Sequence, residues 1–88
     1  MVKAKSFASF LEDNGFEVMY MSSCYKAYLN NNTVLFEAKP NHNVKLLVVS
    51  GKDIEPINQS IKTFFENQNA KVVIERNGSS ANIGVIYF

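Results

Sequence analysis

The chain has one cysteine, Cys24, one histidine, His42, one arginine, Arg76, and no tryptophan. A single cysteine excludes an internal disulfide and a Cys-rich zinc site, and it suits a reducing cytoplasm better than secretion. One Cys and one His do not complete a four-ligand zinc set, and the carboxylates lack the loop spacing of a calcium site, so no metal or other cofactor is expected. No stretch approaches the roughly 18 apolar residues of a membrane span, and no long apolar segment precedes Glu12 and Asp13 as an export signal would. The expectation is a soluble cytoplasmic protein without a membrane partner. An excess of one charge is also missing. Nine Lys and Arg stand against eight Asp and Glu, mixed along the chain, so no basic tail or acidic block points to a partner.

What the chain does have is apolar bulk. Hydrophobic residues make up 47% and charged residues 19%, with seven Phe and four Tyr, a composition that folds rather than staying disordered. Its 88 residues are too few to divide between two cores, so residues 1–88 form one domain. Eleven Asn and eight Lys against one Arg fit an AT-rich coding genome such as a phage's.

Between Lys3 and Asn14, Ala4, Phe7, Ala8 and Leu11 recur at helical spacing, with Phe10 beside them and Gly15 as the stop. Phe16–Met21, Tyr25–Leu29 and Thr33–Lys39 read as strands, the last two joined through Asn30, Asn31 and Asn32. Pro40–Asn43 is a turn, and Val44–Ser50 is a nearly continuous apolar strand. Ser50 or Asp53 would cap a second helix with the stripe Ile54, Ile57, Ile61, Phe64 and Phe65, and Pro56 falls in its first turn. Lys71–Arg76 and Ala81–Phe88 form a last hairpin about Asn77-Gly78. The class is α+β: a mostly antiparallel sheet with two helices, in the order α-β-β-β-α-β-β.

Two helices can blanket one face of a small sheet, yet these strands carry apolar residues on both. Met19, Met21, Leu35, Leu47, Val73 and Ile86 oppose Phe16, Val18, Val34, Phe36, Val72 and Ile74. Either the helices sit on opposite faces, or the sheet curls, or the second face docks onto a partner, so the first set is a candidate protein interface.

No catalytic residue emerges. Cys24 and His42 lack a third group to orient them, and Glu12 with Asp13, or Asp53 with Glu55, point to different sides of their helices. No phosphate-binding loop is present and no small-molecule substrate is evident. Lys26, Lys39, Lys45, Lys71 and Arg76, with Tyr28 as a stacking ring, could share one sheet face as a nucleic-acid reader, although Glu17, Glu37 and Glu75 interleave with them.

The order of elements, together with Phe10-Leu11-Glu12-Asp13-Asn14-Gly15-Phe16-Glu17-Val18 and the turn Arg76-Asn77-Gly78-Ser79, resembles the C-terminal "double wing" domain of the MotA family, the middle-promoter transcription activators of T-even phages. The resemblance implies a phage-encoded regulatory protein binding duplex DNA through its sheet, in the host cytoplasm. The alternative is a small inhibitor that binds a host protein, or a homodimer, using the same sheet.

Overall fold

Ala4, Phe7, Ala8 and Leu11 are all buried along one side of α1 (Ala4–Asp13) in the computed structural model, which describes residues 1–88. The helix ends where Asn14 Nδ2 donates to the Phe10 carbonyl at 2.7 Å and Gly15 takes a φ of +90°, a conformation that glycine adopts without penalty. At the other end, the Ala4 N–H donates to the His42 carbonyl (2.8 Å) and the Lys5 N–H to the Pro40 carbonyl (3.1 Å). The Pro40–Asn43 turn therefore satisfies helix N–H groups that no capping side chain reaches.

The remaining elements are β1 (Glu17–Met21), β2 (Cys24–Leu29), β3 (Asn32–Glu37), β4 (Leu46–Gly51), α2 (Glu55–Glu66), β5 (Ala70–Asn77) and β6 (Ser80–Tyr87). The α+β class and the order hold: helix, four strands, helix, two strands. The four strand runs read before the second helix, Val44–Ser50 among them, each form a strand. All pairings in the sheet, ordered β1-β2-β3-β4-β6-β5, are antiparallel.

Three hairpins close through two-residue loops, Ser22-Ser23, Asn30-Asn31 and Gly78-Ser79. The first loop residue has positive φ each time: 61° at Ser22, 55° at Asn30 and 61° at Gly78. The last turn is thus one residue later than Asn77-Gly78, because Gly78 fits the left-handed first position and leaves Asn77 paired with Ser80. The start of α2 also differs from expectation. Ser50 lies within β4, Asp53 donates its N–H to Asn32 Oδ1 (3.1 Å), and Ile54 precedes the helix without a side-chain cap. Pro56 stands in the first turn as expected.

Both helices lie on the same side of the sheet. Phe7 meets Phe36 edge-on at 4.9 Å and Phe65 at 5.2 Å, while Phe10 stacks on Phe64 at 4.2 Å. Phe7, Phe36 and Phe65 are fully enclosed, each adding about 1.5–3 kcal/mol of burial relative to exposure. Val34, Phe36, Leu47, Val49, Ile83 and Val85 complete this core from the strands.

Candidate functional site

The pairing register divides the strand residues between two faces. On the helix side one row runs Val18, Ala27, Val34, Val49, Ala81, Arg76, and the next runs Tyr20, Tyr25, Phe36, Leu47, Ile83, Ile74. Opposite them, a row crosses all six strands as Met19, Lys26, Leu35, Val48, Asn82, Glu75. Beside it on that face lie Met21, Cys24 and Glu37, followed by Leu46, Gly84 and Val73, with Ile86 and Lys71 beyond. A polar row, Glu17, Tyr28, Thr33, Ser50, Ser80, Asn77, closes the other margin.

No helix covers this second face. Leu46 is 59% and Val73 52% exposed, and Met19, Met21, Tyr28 and Ile86 are each more than a third exposed. These apolar side chains are spread across the face from β1 to β5, with Lys26, Glu37, Asn82 and Glu75 between them. Five of the six interface residues expected from sequence, Met19, Met21, Leu35, Val73 and Ile86, come together here. Leu47 does not: it is 1% exposed and pairs with Phe36 and Ile83 in the core. Lys45 and Leu46 are exposed in succession, which breaks simple alternation and puts Leu46 on the open face instead. A continuous apolar run carries no internal signal of which residue points which way.

The basic set separates further. Lys26, Tyr28 and Lys71 lie on the open face, and Lys45 borders it beside Glu37 and Leu46. Lys39 is exposed beyond the end of β3. Arg76 is on the opposite face, where its Nε and a terminal nitrogen donate to both Glu55 oxygens at 2.8 and 2.7 Å. That fork holds the Glu55 carboxyl below its ordinary range and commits the guanidinium to the start of α2. What remains on the open face and its margin is balanced: Lys26, Lys45 and Lys71 against Glu17, Glu37 and Glu75.

The Cys24 thiol donates to the Met21 carbonyl at 3.6 Å, while His42 contributes its backbone carbonyl to α1 and its side chain makes no hydrogen bond. No three His, Cys, Asp or Glu side chains gather closely enough to ligate one ion, and no helix is long and apolar enough to cross a membrane. Burial, and then nearby Tyr20, raises the Tyr25 phenol above its ordinary value.

Two features of the chain were not visible to pattern reading. Asn58 is buried within the stripe of α2, its Oδ1 without a partner. Gly84 stands in the middle of β6 on the open face between Leu46 and Val73, where a glycine inside a strand-like run was the available signal. No family model, curated protein or solved structure matches this chain.

Proposed function

We propose that the chain is a non-enzymatic binding module that recognises another protein surface with the uncovered face of its sheet. The observation that carries this reading is the group Met19, Met21, Leu46, Val73 and Ile86, exposed together on one face while the other face buries a complete core. Such a face loses free energy to water until something covers it. Its equal numbers of Lys and Glu suit a protein surface, since charges of both signs guide register without adding long-range attraction for a polyanion.

A second reading, duplex DNA bound through the same face by a phage regulator in its host's cytoplasm, draws on Lys26, Lys71 and Tyr28 sharing that face and on the family resemblance. It asks Glu17, Glu37 and Glu75 to lie near phosphates, which opposes binding. The protein reading is therefore preferred.

The test compares wild type with Leu46→Lys/Val73→Lys, both positions being solvent-exposed. Self-association and capture of cellular proteins are measured at about 50 and about 200 mM salt, alongside a duplex-DNA mobility shift. The expected result is protein association that persists at the higher salt and is lost in the variant. Association that the variant leaves intact, or a DNA shift that collapses with salt and no protein association, would replace this reading.

A further inference from the structure

We infer that the occupant of the open face is a second copy of this chain, packed sheet to sheet about a twofold axis that runs parallel to the strands between β3 and β4. This rests on the preceding reading of the face as a protein-recognition surface and adds the partner.

The first observation is Gly84. Its backbone needs no glycine, because its φ is not positive and a Cβ built there meets nothing within 4 Å. Glycine within a strand weakens it and often marks a bulge, a tight bend or the close approach of another backbone or ligand; the pairing runs unbroken through Gly84 on both sides, so no bulge accounts for it. No group of this chain makes that approach. The bare position, flanked by Leu46 and Val73 on the neighbouring strands, forms a notch facing outward, shaped to admit a side chain from outside the fold.

The second observation is the register of charge. The chosen axis lays β1 over β5, β2 over β6 and β3 over β4 of the other copy while keeping the rows level, because the strand order reverses across the gap. Isologous contacts of this kind occur in symmetry-related pairs. The row Met19, Lys26, Leu35, Val48, Asn82, Glu75 then faces its own reverse. Leu35 meets Val48 at the centre, and Lys26 comes within one strand of the other copy's Glu75. In the neighbouring row Met21 opposes Val73, Cys24 enters the notch at Gly84, and Glu37 lies near Lys45. The face carries no net charge, so two copies approach without the repulsion that a one-signed face would impose on itself.

The third observation is area. The molecule measures 30 × 25 × 20 Å, and six strands about 4.8 Å apart carry the open face across on the order of 24 Å, a breadth on which a contact approaching the roughly 800 Å² per partner of a stable interface has room to form. Sheets packed face to face with strands within about 30° of parallel, some 10 Å apart, give the geometry required.

The experiment is sedimentation equilibrium of the whole chain from about 1 to about 100 µM, a range that brackets the micromolar affinities standard-size interfaces can show, with thermal melts of every variant. Wild type is expected to reach the mass of two chains. Lys26→Glu and Glu75→Lys should each weaken the dimer about tenfold or more, and the double variant should recover most of that loss, because the pair is re-formed with its signs exchanged. Gly84→Val should lose the dimer while its monomer folds at least as stably as the wild-type monomer, compared at a concentration where both are monomeric. A wild-type chain monomeric throughout overturns the second copy as occupant, as does a dimer indifferent to both Gly84→Val and the charge exchange. Neither result touches a foreign partner, which the capture comparison on Leu46→Lys/Val73→Lys decides separately. Loss of association in both experiments would remove the proposed function as well.

Discussion

The two faces of this sheet are made from similar residues to opposite effect. On one, Val34, Phe36, Leu47, Val49 and Ile83 are sealed beneath Phe7, Leu11, Ile61 and Phe65. On the other, Leu46, Val73 and Ile86 stand in water among Lys and Glu. Hydrophobic content alone therefore does not define the core. Burial follows the helices, and the helices cover only one side because α1 and α2 pack against each other through Phe10 and Phe64.

The sharpest way to break this comparison is to remove one side chain from each face. Phe7→Ala is expected to cost about 3–5 kcal/mol, the range for deleting a fully buried aromatic ring. Leu46→Ser should stay within about 0.5 kcal/mol, as an exposed substitution does. Denaturant midpoints measure both. At a concentration low enough for the wild type to be monomeric, similar losses would mean that the open face is packed within the single chain, and the interface proposal would go with that result.

A smaller effect tests the polar margin of the covered face. The Tyr87 hydroxyl donates to the Val44 carbonyl and lies 3.4 Å from the Val2 carbonyl, joining β6 to the chain's start. Tyr87→Phe should cost about 1 kcal/mol, the net worth of a typical hydrogen bond. Burial raises the phenol above its ordinary 10.0, so the unfolded chain ionises first. The stability contributed by the neutral phenol is full below pH 10 and is lost as pH rises through the folded value. The variant should therefore lose less stability than wild type in alkaline melts.

Smallest is Arg76→Ala. Its ion pair with Glu55 is well exposed on both sides, so the melting temperature should fall only slightly at neutral pH. Because the Glu55 carboxyl is lowered from 4.5, first by the Arg76 hydrogen bond, the difference is present above that pH. It should disappear as pH falls through the lowered value. Binding by the open face should be unchanged, since Arg76 points away from it. A binding defect in Arg76→Ala would join the two faces in one site.

Much of the fold was legible because its signals are local. The i, i+3, i+4 stripes of Ala4–Leu11 and Ile57–Phe65 specify their helices, Gly15 stops the first, and Asn30 and Gly78 supply the left-handed residues their hairpins need. The candidate site was legible in part. Met19, Met21 and Val73 fall on the expected face because charged residues of the same parity, Glu17 in β1 and Lys71 and Glu75 in β5, mark the side that meets water. Leu47 does not, because Lys45 and Leu46 are exposed in succession and the parity that Lys45 marks is lost before Leu47. Arg76 read as one of several surface cations because its partner, Glu55, lies 21 residues away in sequence.

By itself, then, the sequence determined the class, the elements and the apolar supply for two sheet faces, since periodicity and turn chemistry act among residues a few positions apart. Only the tertiary structure decided that both helices share one face, that Leu46 rather than Leu47 meets water, and that Gly84 opens a notch beside it. Those outcomes depend on strand register and on packing between distant segments, and no local pattern encodes either.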